Sequence, residues 1–259
     1  MSDAPPLPDP RPAWLRGLLW VGRILLAVIG VPLVAVGLLG LGDTTGRAFL
    51  CFGLVLVVSA AGSVAREVAE RRYLRQPPEP RLVTLEDGER ALVLPRDPAP
   101  SRIATLVLLG YAAVAVVGVV VTAVAGSVGW AVALAVLAVL LLYFAAPHRG
   151  SLAGGLWLTP QRMVHEHDGL RWQVGWDDVT GVVPQQPMPV LVRPDRMPAV
   201  ERIGPRGRAW SPRAGDGVLA VDTRHLAGGV TLAFYVIGKS VTDRDSRAVL
   251  GTPESLPRE

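Results

Sequence analysis

The chain has 259 residues, of which 50% are hydrophobic and 19% charged, with a formal charge of +4. A soluble globular domain carries about 25% charged residues, so a soluble enzyme is disfavoured, while 22 acids and 26 bases are too many for a chain made of membrane spans alone. A membrane part joined to a water-exposed part is the expectation. All the bases but Lys239 are arginine, a skew that goes with the Ala, Val, Gly and Pro excess of a GC-rich bacterial coding bias. It is therefore poor support for nucleic-acid binding, and no nucleic-acid partner is expected. A single cysteine, Cys51, excludes an internal disulfide framework and a cysteine-rich zinc site.

Residues 1–17 form an N-terminal tail. Four apolar runs follow, at 18–41, 48–65, 103–125 and 128–146. At about 1.5 Å per residue each is about 27–36 Å long as a helix, enough to cross a hydrocarbon core of about 30 Å. Only Arg23, near the start of the first run, is charged. No small-residue cleavage pattern follows that run, so it is expected to be a retained anchor rather than a signal peptide. Pro32 is expected to kink it, and Gly30 and Gly37, seven residues apart, share a face suited to a neighbouring helix, with filler glycine the alternative.

Orientation follows from arginine. The connection 43–47 holds one and the turn at 126–127 none, whereas 66–102 holds eight and the chain after Pro147 thirteen. By the positive-inside rule the rich segments are cytoplasmic. The expected topology is two transmembrane hairpins, 18–65 and 103–146, with both termini inside a bacterial inner membrane. Trp20, Trp130 and Tyr143 fall near span ends, as interfacial aromatics do. The runs contain no Asp, Glu, His or Lys, which disfavours a small transporter. Arg23 is placed to snorkel toward the cytoplasmic face.

The cytoplasmic segment 66–102 is expected to open as a helix over 66–75, with Glu67 and Arg71 an i,i+4 pair. After Pro77, Pro78 and Pro80, two strand-like runs at 81–86 and 89–94 flank Asp87-Gly88, a hairpin signal. A lone hairpin is marginal in water, so it should dock, with the C-terminal domain the expected partner.

Residues 147–259 form the second cytoplasmic part. Strands are expected at 155–159, 162–167, 170–176 and 179–183. In the third of these, Leu170, Trp172, Val174 and Trp176 alternate with Arg171, Gln173 and Gly175. The Pro- and Arg-rich segment 184–217 is expected to be mostly loop, with short strands near 190–192 and 200–203, and a further strand at 218–221. A helix then opens with Asp222 or Thr223 as its cap. It carries Leu226, Val230, Ala233, Phe234 and Ile237 at helical spacing and ends at Gly238. A short helix over 243–250 precedes Gly251.

The stretch GLWLTPQRMVHEHDGLRWQVGWDDVTGVV, residues 155–183, resembles bacterial PH-like domains. Leu158-Thr159, Arg162, Gly169 and Trp176-Asp177-Asp178-Val179 stand where that pattern expects them. The closing Arg247 and Leu250-Gly251-Thr252 resemble the tail of actinobacterial multi-span membrane proteins of this type. The resemblance covers about residues 150–255 and implies a cytoplasmic α+β domain, an antiparallel sheet or barrel capped by a C-terminal helix. It brings no fixed ligand motif. The segment 184–217 departs from a compact domain of that kind.

Three constellations bear on function. His165 and His167 share a strand face and with Asp168, His148 or His225 could hold a metal; exposed strand histidines are the plain alternative. Asp177 and Asp178 are adjacent, so their side chains diverge and suit a turn better than acid–base catalysis. The arginines Arg193, Arg196, Arg202, Arg206, Arg208 and Arg213 give 193–213 a net +4, and are candidate contacts for anionic lipid headgroups. A solvated loop is the alternative. The expectation is an α-helical membrane protein of four transmembrane helices with a cytoplasmic PH-like binding or scaffolding module. It is expected to be no enzyme, with no cofactor, and with the bilayer, anionic headgroups or a cytoplasmic or membrane protein as partner. A metal-binding or enzymatic domain using His165 and His167, and a small transporter, are the alternatives.

Overall fold

Four long helices carry most of the apolar sequence. The computed structural model describes residues 13–145, 154–167, 169–184, 189–203, 217–223 and 225–256. Helices α1 (Ala13–Leu39), α2 (Thr44–Arg75), α3 (Ala99–Val124) and α4 (Val128–Ala145) are each long and apolar enough to cross a membrane. Only 11–22% of each apolar window is buried. An outward surface this apolar suits lipid and not water, which supports a multi-pass membrane protein. The chain divides into two units, one built from these helices (Pro6–Leu74 and Ala99–Arg149), the other from Arg75–Pro98 and Gly150–Glu259.

Within the helical unit, α1 runs through Pro32 without a break. The glycine face predicted at Gly30 and Gly37 meets α2. A Cβ on Gly37 would lie 2.4 Å from the backbone nitrogen of Leu50, and one on Gly53 would lie 2.7 Å from that of Val34. Only glycine admits backbones this close, and dispersion between them is what holds helices together in lipid. The hydroxyls of Ser59 and Tyr111 join α2 to α3 at 2.8 Å.

The second unit is two antiparallel sheets. Strands β1 (Arg81–Thr84), β2 (Arg90–Pro95), β3 (Gly155–Leu158), β4 (Arg162–His167), β5 (Leu170–Gly175) and β8 (Val200–Arg202) form one, in the order β1-β2-β3-β4-β5-β8. Strands β6 (Val179–Pro184), β7 (Pro189–Pro194) and β9 (Leu219–Asp222) form the other, in the order β6-β7-β9. Leu92 and Leu94 of β2, Leu156 and Leu158, Met163, Trp172, Val190 and Val192, and Val221 share one buried core with Ala233 and Ile237 of helix α5 (Gly229–Thr242). Strand β5 alternates buried and exposed as its sequence predicts, with Trp172 inward.

The hairpin at 81–95 does not stand alone. Strand β2 pairs with β3, Leu92 opposite Leu158 and Leu94 opposite Leu156. The module is therefore discontinuous in sequence, with spans α3 and α4 inserted between its second and third strands. The chain end closes on the same hairpin. Gly251 adopts φ +82°, and a Cβ there would lie 2.4 Å from the carbonyl oxygen of Arg90.

The C-terminal helix differs from expectation at both ends. Asp222 ends β9, Leu226 bridges to Arg96, and α5 starts only at Gly229, behind Gly228 at φ 70°. The glycine pair Gly228-Gly229 opens the helix, because Gly228 takes a left-handed conformation that a side chain resists. The helix also continues past Gly238 to Thr242. Asp243 then caps the short helix α6 (Arg244–Ala248), its Oδ1 accepting from the Asp245 N–H at 3.0 Å.

Candidate functional site

The residues that carry the PH-like resemblance hold the fold together. The Thr159 hydroxyl accepts from the Arg162 N–H and donates to its carbonyl, both at 3.0 Å, shaping the turn between β3 and β4. Trp176 is 1% exposed, and its indole N–H donates to the Thr159 carbonyl at 2.7 Å. Trp176–Asp178 is a single 3₁₀ turn between β5 and β6. There Asp177 receives Arg247 at 2.6 Å, and the Arg247 guanidinium also donates to the Ser240 carbonyl. Arg247 holds the Asp177 carboxyl below the usual carboxylate range. The adjacent acids thus serve a turn and a clasp.

His165 and His167 do share a face of β4, with ring centroids 6.1 Å apart. His165 is buried, not exposed, and lies 5.2 Å from the Trp172 ring. Its Nε2 has no hydrogen-bond partner among the described residues. His167 Nε2 lies 3.2 Å from Asp222 Oδ2. Arg96, just beyond β2, reaches the same carboxylate at 3.5 Å and donates to the Asp222 carbonyl at 2.6 Å. The pair thus forms a polar corner, buried at His165 and half-buried at His167, where β2, β4 and β9 meet. Asp168 and His148 lie outside the described residues. Among the described residues no three His, Cys, Asp or Glu side chains converge as metal ligands.

Burial and the positive charge of Arg96 push the His165 pKa well below 6.5, against the opposing pull of Asp222. The unfolded chain takes up a proton near pH 6.5 that the folded module refuses. Stability is therefore complete above that pH and falls as pH drops, by up to about 1.4 kcal/mol per pH unit. Replacing His165 with Phe is expected to flatten this loss between about pH 6.5 and 5, read from urea midpoints of the wild type and the variant. An unchanged pH slope in His165→Phe would show that another group sets it.

Of the six candidate arginines, Arg193 lies on β7, Arg202 on β8 and Arg196 between them, all three exposed. Arg206, Arg208 and Arg213 lie outside the described residues. The short strands predicted inside this segment are present as β7 and β8, so its first half belongs to the sheets rather than to a loop.

A further charged cluster sits in the helical unit. Arg23 is 7% exposed and does not snorkel: its Nε donates to Ser63 Oγ at 2.8 Å and its Nη2 to Glu67 Oε2 at 3.2 Å. Glu67 also accepts from Arg71 at 2.9 Å. Both guanidinium groups lie over the Trp20 ring, at 5.2 and 5.8 Å, a cation–π arrangement. Glu67 lies two residues past the end of its apolar run, so the run looked acid-free. A usable signal was present, because Ser63, Glu67 and Arg71 repeat at i,i+4 on one face of α2.

Comparison with protein-family models, with curated proteins and with solved structures returned no match for this chain.

Proposed function

We propose that this is a four-span protein of a bacterial inner membrane, with both termini in the cytoplasm. Its cytoplasmic part is a non-enzymatic PH-like module that binds or scaffolds a partner. The observation that carries the topology is the β2–β3 ladder. Residues 81–95 precede α3 and residues 155–158 follow α4, yet they lie side by side in one sheet. An unbroken sheet cannot straddle a bilayer, so α3 and α4 must leave one face and return to it. The arginine distribution supports the cytoplasm as that face: eight in 66–102 and thirteen after Pro147, against Arg47 alone in the two opposite turns.

Two small antiparallel sheets closed on one core by a C-terminal helix support the PH-like reading. The binding role is supported by the uses made of the module's polar residues. Asp177, Asp222, Arg96 and Arg247 are engaged in holding the fold, while Arg193, Arg196 and Arg202 are exposed. Anionic headgroups are the partner chemistry these three fit best, since basic groups near the inner leaflet gain up to about 1 kcal/mol each.

Reporter fusions after Arg75, after Ser127 and after Glu259 are expected to read cytoplasm, exterior and cytoplasm. A cytoplasmic signal after Ser127 would remove the α3–α4 hairpin, and an exterior signal after Glu259 would reverse the orientation. In-cell crosslinking from position 235, on the exposed face of α5, checks the scaffolding role by identifying the protein captured.

A further inference from the structure

Five large apolar side chains are exposed in the described part of the module: Val183, Met197, Val200, Ile203 and Tyr235. Three of them fall within seven residues of one another, 42–49% exposed, and are interleaved with the exposed Arg196 and Arg202. Strand β8 sorts them. Val200 and Arg202 stand opposite Trp172 and Leu170 of β5, so they lie on the sheet face that covers the core one strand away. Past the margin of that core this face is uncovered. Glu201 stands opposite Arg171, on the other face. Ile203, whose N–H donates to the Gly169 carbonyl at 3.0 Å, continues the ladder and falls on the face of Glu201, so the acid is separated from Val200 and Arg202.

We propose that the segment 196–202 docks on an anionic phospholipid surface, with Met197 and Val200 entering the headgroup layer and Arg196 and Arg202 binding phosphates. This deepens the reading above and rests on its claim that the module works beside a bilayer. Charge selects the occupant. In the described stretch 193–203 every base is arginine, Arg193, Arg196 and Arg202 against Asp195 and Glu201, and guanidinium forks match phosphate oxygens two at a time. Proximity acts in the same direction. The module is continuous with four spans, so a lipid surface is present at a high effective concentration that no free protein matches. Apolar side chains flanked by bases are also the pattern by which a surface element enters the interface without crossing it.

The full-length chain in nanodiscs tests this. In a Cys51→Ser background, Met197→Cys and Val200→Cys carry an environment-sensitive fluorophore, with Gln173→Cys, exposed on β5, as control. Discs of phosphatidylcholine are compared with discs that also contain phosphatidylglycerol. A blue shift is expected at positions 197 and 200 in the anionic discs only, with none at 173. It should be lost in the Arg196→Gln/Arg202→Gln variant. It should weaken as salt shortens the Debye length from about 10 Å at 0.1 M to about 3 Å at 1 M. Three results would overturn the proposal: no shift in either disc, an equal shift in both, or the same shift in lipid-free amphipol, which would assign the patch to a protein surface. Nanodiscs expose lipid on both faces, so the result does not depend on sidedness. A failure here with the reporter fusions as expected sinks the lipid contact alone.

Discussion

Residues 148–259 expressed alone are expected not to fold cooperatively. A boundary at residue 147 leaves out β2, whose Leu92 and Leu94 are fully buried in the module core. Truncating one such leucine to alanine costs about 2–5 kcal/mol, against a total stability of about 5–15 kcal/mol for a domain. Removing the hairpin takes both leucines and bares the edge of β3. The Gly251 turn, which closes against Arg90, is lost with it. Rescue is expected when 75–98 is fused ahead of 150–259 through a short Gly-Ser linker. The two pieces already run side by side there, with the Arg96 N–H donating to the Gly154 carbonyl at 3.2 Å. Circular dichroism with urea titration is the measurement. A sigmoidal transition of equal midpoint in the fragment lacking the hairpin would show that β1 and β2 are an ornament of the sheet.

Glu67→Ala is expected to destabilise the helical unit by about 3–5 kcal/mol, because it leaves Arg23 buried and unpaired. Arg71→Ala removes a half-exposed partner of the same carboxylate and should cost about 0–1 kcal/mol. The double variant Arg23→Leu/Glu67→Leu should recover most of the loss, since a buried pair is worth little against apolar groups of similar size. Unfolding in bicelles, followed as a double-mutant cycle, separates the coupling from the single costs. Equal effects of Glu67→Ala and Arg71→Ala would mean that Arg23 finds water or lipid phosphate once Glu67 is gone.

The four helices were legible because lipid imposes one simple demand, long runs without charge, and a run of that kind has few alternatives. Strand β5 was legible for a similar reason: one face buried and one wet writes a period of two into the chain. The Asp87-Gly88 turn was equally plain, and Gly88 adopts φ +81° there. These features depend on neighbours within a few residues.

What escaped the sequence depends on partners far along the chain. Asp222 sits before a helix and is a good capping residue, so local preference assigned it to a cap. In the fold its carboxylate meets Arg96, 126 residues away, and His167, and a charge so buried is held where its counter-charges are. His165 carried no mark of burial, since strand periodicity places it on a face without saying how far the core extends along that face. Arg23 looked like a lone base near water until the turn at Gly40–Asp43 brought Ser63 and Glu67 opposite it. The sequence alone determined which segments suit lipid and which suit water, because solvent preference belongs to each residue. Only the tertiary structure decided that a hairpin lying between two spans completes the sheet that follows the fourth. Pairing of β2 with β3 is set by shared burial of Leu92, Leu94, Leu156 and Leu158, a property that none of these residues has until the two segments meet.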